Sequence, residues 1–196
     1  MADEKRPYRM KRRAELEEQT RLRITESAVA LHEELGPART PISAVAERAG
    51  VRRSTVYRHF PDEEALFVAC TSHWFAGHMP PDPGPWTAVE DPDARLRGAL
   101  RELYAYYRST GRMLEHSLRD ASVSPLVAKL MAGYHEYVGA ATSILLAGRP
   151  ERGRARRRAR AAIAHAVAFG TWHSLAVEQG LGDAEAADLA CRLVVG

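Results

Sequence analysis

The chain has 196 residues, 45% of them hydrophobic and 27% charged, and a net charge of +3. That length supports one large or two small domains with a sizeable core, and the composition excludes a disordered or fibrous chain. No apolar run approaches the ~18 residues a membrane span needs. The charged start over residues 1–13 holds no apolar signal region. Two distant cysteines, Cys70 and Cys191, make neither a disulfide framework nor a metal-spacing motif. The expected setting is the cytoplasm, with both thiols buried and reduced.

Residues 1–12 read as a flexible basic arm, because Pro7 and the lack of periodicity argue against an ordered element there. From about Lys11 the chain favours helix. Ile24, Ala28, Leu31 and Leu35 make one apolar stripe, which Gly36-Pro37 stops. Thr40 then stands where an N-cap belongs, with Pro41 at the first helical position. Ile42, Val45, Ala46 and Ala49 recur at helical spacing, and Gly50 can take the positive φ of a tight turn. Val56 and Phe60 would anchor the next short helix, leaving Arg53, Ser54, Tyr57 and Arg58 outward. Between Arg39 and Phe60 five arginines face a single acid, Glu47. Two short helices around a glycine turn, the second rich in Arg, Ser, Thr, Tyr and His, is the layout of a helix-turn-helix facing nucleic acid.

Asp62 is a good N-cap for a helix running to about Gly77, with Glu63 and Glu64 in its first turn. The proline-rich stretch from His78 to Pro85 is an irregular linker. A helix follows from about Pro92 to Thr110, ended by Gly111, and a short one covers Arg112 to Ala121. Pro125 opens another. The last two helices are expected at about 154–179 and 183–195. No segment alternates with a period of two, so the fold class is all-α with roughly nine helices.

The chain resembles the TetR family of bacterial transcriptional regulators. The resemblance is carried by Ile24 to Leu35, Ala44-Val45-Ala46, Ala49-Gly50-Val51, Thr55-Val56-Tyr57-Arg58-His59-Phe60 and Glu64 to Leu66. It covers about residues 20–75. It implies an N-terminal three-helix DNA-binding domain (here residues 13–61) and a larger helical ligand-binding and dimerisation domain (residues 62–196). It also implies dimerisation through the last two long helices and release from DNA on ligand binding. Two positions depart from the family pattern. Arg52 stands at the recognition-helix N-cap where Ser is common, and Glu63 stands where many members carry a phosphate-contacting Lys. With Arg52 and Arg53 both set against the helix dipole, that end makes sense against a polyanion.

The candidate DNA-binding residues are Thr40, Arg52, Arg53, Ser54, Thr55, Tyr57, Arg58 and His59. By resemblance Tyr57, His59, Thr55 and Thr40 would meet phosphates. The arginines reach base edges, and Arg53 is the candidate for a bidentate pair with guanine. The basic arm could enter the adjacent minor groove. In the second domain the aromatic and soft residues Trp74, Tyr104, Tyr107, Met113, Tyr134 and Trp172 are candidates for a mostly apolar ligand pocket. Ala164, Ala168, Leu189 and Leu193 are candidates for the dimer interface. No histidine set has metal spacing, no catalytic constellation can be placed, and no cofactor is expected.

The sequence therefore reads as a non-enzymatic, ligand-responsive repressor. Its partners would be a pseudo-palindromic double-stranded DNA operator, an unidentified small-molecule effector and a second copy of itself, with no membrane. The competing reading is a ligand-binding or interaction protein whose helix-turn-helix has lost DNA binding, which rests on Arg52 and Glu63.

Overall fold

The computed structural model describes residues 5–195. Among these the secondary structure is helical, with no strand. Helix α1 spans Lys5–Leu35, α2 Ile42–Arg48, α3 Arg53–His59 and α4 Glu63–Gly77. Then come α5 (Pro92–Ala121), α6 (Pro125–Leu146), α7 (Gly153–Val167), α8 (Phe169–Trp172) and α9 (Asp183–Val195). Short 3₁₀ turns cover Pro37–Arg39 and Pro85–Ala88, and a π turn, His173–Glu178, continues α8.

Side chains close several helix starts as their sequence suggests. Asp62 accepts from the Ala65 amide at 2.7 Å, Asp91 from Asp93 at 3.0 Å and Ser124 from Val127 at 3.4 Å. Pro92 and Pro125 occupy the first positions of α5 and α6, where a missing N–H costs nothing.

Two hydrophobic clusters form. The N-terminal one joins Ile24, Ala28 and Leu31 of α1 to Ile42, Val45, Ala46, Ala49, Val56 and Phe60. Leu66 and Cys70 of α4 complete it, so the first half of α4 belongs to this core. The larger cluster gathers residues from α5 to α9 around Leu96, Leu100, Leu103, Tyr104, Tyr107, Leu145 and Ile163.

Several expectations are corrected. Residues 1–4 of the expected flexible arm lie outside the described residues, but from Lys5 to Arg12 the backbone is helical, an ordered element where none was expected. Pro7 falls in the first turn of α1, where it displaces no intrahelical hydrogen bond. Leu35 is exposed at the end of its stripe. Thr40 does not cap α2. Pro41 holds that position, and the Thr40 hydroxyl donates to Gly36 O at 2.9 Å.

Gly111 does not end a helix. It lies inside the 30-residue α5, where a Cβ would stand 3.1 Å from the Trp172 ring. It is a close-approach glycine rather than a stop. The expected long helix over 154–179 is instead broken at Ala168, whose ψ of 142° is extended.

That break is held by tyrosines. Tyr104 Oη donates to Ala166 O at 2.9 Å and Tyr107 Oη to Val167 O at 2.7 Å, while Tyr134 Oη accepts from the Phe169 amide at 3.0 Å. Interrupting a helix leaves carbonyls and amides without intrahelical partners, and buried ones need replacements. Three phenols supply them.

Candidate nucleic-acid interface and effector cavity

The helix-turn-helix is locked onto α1 from both ends. Arg48 of α2 makes a two-pronged ion pair with Glu34 at 2.6 and 2.7 Å, so its charge is used within the fold. Arg21 of α1 donates to His59 O at 2.8 Å, and its guanidinium lies 4.3 Å from the Phe60 ring centre. Between them Gly50 turns at φ 64°, and the Val51 amide bonds to Ala46 O at 2.9 Å. Helix α3 is thus a fixed platform.

Arg52, Arg53, Ser54, Tyr57 and Arg58 are exposed on that platform. Tyr57 keeps 41% of its surface accessible. The Arg52 side chain makes no cap hydrogen bond. Among the described residues no ion pair engages Arg52, Arg53 or Arg58. Unpaired arginines at a helix N-terminus, where the dipole disfavours them, form a surface suited to phosphate and base edges.

Three candidates are more constrained. Thr55 is half-buried. His59 encloses its Nε2 without a hydrogen-bond partner. Burial, then the charges of Arg58 and Arg21, hold its pKa below the usual histidine value. Reaching a phosphate through Nε2 requires the ring to move. Thr40 spends its hydroxyl proton on Gly36 O, so donating to a phosphate means giving up that bond.

The turn after α1 docks on the end of α5. Buried Asp120 accepts from the Ala38 amide at 3.0 Å and pairs with Arg119 Nε at 2.8 Å, while Arg119 Nη2 donates to Leu35 O at 2.9 Å. Gly36 sits at φ 99°, and a Cβ there would overlap both side chains. Burial raises the Asp120 pKa, but the bonds from Arg119 and Ala38 outweigh it and hold the carboxyl below its usual value.

Beside this junction lies a cavity of about 140 Å³, walled by α1, α4, α5, α6 and the loop after α4. Trp74, Tyr107, Met113 and Tyr134 line it. Tyr104 and Trp172 do not. Tyr104 is fully buried against α7, and Trp172 packs on Gly111 while its Nε1 donates to Asp183 at 3.0 Å. Lining residues that sequence reasoning missed include Val29, His32, Phe67, Tyr106, Met131 and Tyr137. His32 carried no signal beyond its place near the α1 stripe. It is buried and stacked on Phe67 at 5.0 Å, and burial depresses its pKa to about 4, with Asp120 partly opposing. The loop from His78 is pinned by Tyr106 Oη to His78 O at 3.3 Å and Tyr137 Oη to Pro81 O at 2.8 Å.

The expected dimer residues cluster toward α7 and α9. Ala164, Ala168 and Leu189 are half-buried, and Leu193 is 71% exposed. A groove between these helices is lined by His165, Gly170, Thr171, Leu175, Leu193 and Val194.

Residues 24–70, which hold the helix-turn-helix, match the family model described as bacterial regulatory proteins, tetR family. The same architecture recurs in solved structures. A TetR-like transcriptional regulator from Rhodococcus sp. RHA1 is 17% identical with a TM-score of 0.64, over 90% of this chain and 93% of that one. The transcriptional regulator FadR from Bacillus subtilis, in complex with stearoyl-CoA, is 17% identical with a TM-score of 0.64, over 89% and 97%. The fatty acid degradation regulator FadR from Bacillus halodurans is 15% identical with a TM-score of 0.61, over 90% and 94%. At these identities the likeness is one of fold. No curated protein matches the chain. Among the described residues no helix is long and apolar enough to cross a membrane, and no cluster of potential metal ligands forms.

Proposed function

We propose that this protein is a ligand-responsive repressor, a cytoplasmic homodimer that binds a pseudo-palindromic operator through two copies of α3. The observation that carries the reading is the double role of α1. One part of it clamps the recognition helix through Arg21, and another walls the cavity through Val29 and His32. A ligand that prefers a shifted α1 would move α3 and lower DNA affinity by its differential binding, commonly about 1–3 kcal/mol. The acyl-CoA held by the Bacillus subtilis neighbour supports a small molecule as effector.

The arginines of α3 and the base-reading role of Arg53 belong to this reading, as does a dimer formed by α7 and α9. A C2 pair would set two recognition helices near one DNA turn apart, ~34–36 Å. A salt-titrated binding assay on DNA upstream of the protein's own gene tests it. Affinity should fall with salt at a slope near −0.9 per phosphate contact while sequence preference persists. Absence of sequence preference at every salt concentration would overturn it and favour a ligand-binding protein with a silent helix-turn-helix. Exposed Glu63, in the first turn of α4 where a basic residue is common in the family, is the feature that favours that second reading.

A further inference from the structure

We propose that the cavity between α1, α4, α5 and α6 takes a compact, uncharged aromatic ligand about the size of one substituted ring. The inference rests on the reading of this cavity as the effector site and names the class of molecule.

Size sets the first limit. At about 140 Å³ the space compares with an engineered apolar cavity of about 150 Å³ that holds benzene. A long acyl chain with its nucleotide head does not fit without the walls parting. Charge sets the second. The lining includes no Asp, Glu, Lys or Arg. An ionised ligand would leave water for a wall that offers no counter-charge, which is strongly disfavoured. His32 does not supply one, since burial keeps its imidazole neutral at pH 7.

The chemistry of the lining sets the third. Phe67, Trp74, Phe75 and Tyr134 present ring faces and edges, and Met113 and Met131 add polarizable sulfur. These groups favour a flat aromatic partner over a flexible aliphatic one. The hydroxyls of Tyr106, Tyr107 and Tyr137 already donate to the carbonyls of His78, Val167 and Pro81. Few polar tips remain for a ligand, Thr71 and Ser117 among them, which suits a single hydroxyl.

Calorimetric titration of the full-length protein at pH 7, without DNA, tests this with four probes: p-cresol, benzoate, benzylamine and stearoyl-CoA. The first three share one ring and differ in charge. p-Cresol should bind about tenfold or more tighter than benzoate or benzylamine. Gly133 is an exposed lining residue where a Cβ meets nothing within 4 Å, so Gly133→Leu adds bulk at the rim of the cavity. It should weaken p-cresol about tenfold while the helical content, read by circular dichroism, stays that of the wild type. Gly139→Ala, on the same helix but not in the lining, should leave p-cresol binding unaltered.

Benzoate, benzylamine or stearoyl-CoA binding as tightly as p-cresol overturns the proposal. So does p-cresol binding that is equal in wild type and Gly133→Leu. Operator release is read in a separate assay. p-Cresol bound in the cavity with DNA still held would uphold the ligand class and refute the effector role.

Discussion

Arg53 and His32 show how differently single residues act in this molecule. Arg53 opens α3 exposed, with no ion pair to draw it back among the described residues, so its guanidinium is available to a base edge. Replacing it with Ala should cost about 1–3 kcal/mol on the operator and much less on operators altered at the contacted guanine. Binding measured against a panel of base-substituted operators distinguishes this from a phosphate contact, for which the loss would be uniform. His32 acts through the fold. Its folded pKa of about 4 lies below the 6.5 of an unfolded histidine, so above pH 6.5 neither state gains a proton and stability is unaffected. As pH falls from 6.5 toward 4 the unfolded chain takes up the proton and the folded one does not. Stability should drop by up to ~3 kcal/mol across that window. His59, also depressed, acts in the same direction. The depressed Asp120 carboxyl loses its contribution only below its usual 3.8, outside the window. Urea unfolding at a series of pH values should show the drop in wild type and a shallower one in His32→Phe.

At the level of elements, the broken segment from α7 to α8 is the least regular part of the helical scaffold and the most dependent on side chains from elsewhere. Tyr107 and Tyr134 face the cavity and also hold the backbone at the break. Any molecule that shifts these rings must disturb Val167 and Phe169, which lead into the proposed dimer surface. Tyr134→Phe leaves the Phe169 amide without its phenolic partner. The change should destabilise the fold by about 1–2 kcal/mol by thermal or urea unfolding. Operator affinity in the absence of ligand should change little. Helix α1 has the complementary role, since it runs unbroken from Lys5 into the part that bears the helix-turn-helix.

For the whole molecule, the proposed function depends on pairing two copies. Leu193 is 71% exposed and Val195 46%, on the same helix as buried Ala186, Ala187, Ala190 and Cys191. Large apolar side chains left on the outer face of a terminal helix suit a partner helix better than water. Leu193→Asp should shift the protein from dimer to monomer in sedimentation velocity while leaving its helical content intact. Operator affinity should fall by at least about a hundredfold, because a monomer loses the second half-site. A variant that stays dimeric would remove Leu193 from the interface.

Much of this was legible in the chain because it is local. The cap at Asp62, the prolines opening α5 and α6, the turn at Gly50 and the outward set on α3 depend on residues within a turn or two of each other. Such signals survive without tertiary context. Four of the six pocket candidates, Trp74, Tyr107, Met113 and Tyr134, line the cavity, because large apolar side chains on helices that face one another tend to meet. The remainder required the folded chain. Gly111 is a helix breaker by propensity, yet Trp172 packs against it and α5 runs through. The 154–179 stretch is helical by propensity, yet it breaks at Ala168. There Tyr104 and Tyr107 reach carbonyls 62 and 60 residues away, and Tyr134 meets an amide 35 residues away. Local propensity amounts to under 1 kcal/mol per ordinary residue, whereas a buried amide or carbonyl left unpaired costs about 1–3 kcal/mol. Where several such groups can be satisfied only by distant side chains, packing overrides the local preference, and the helix stops where the tyrosines are.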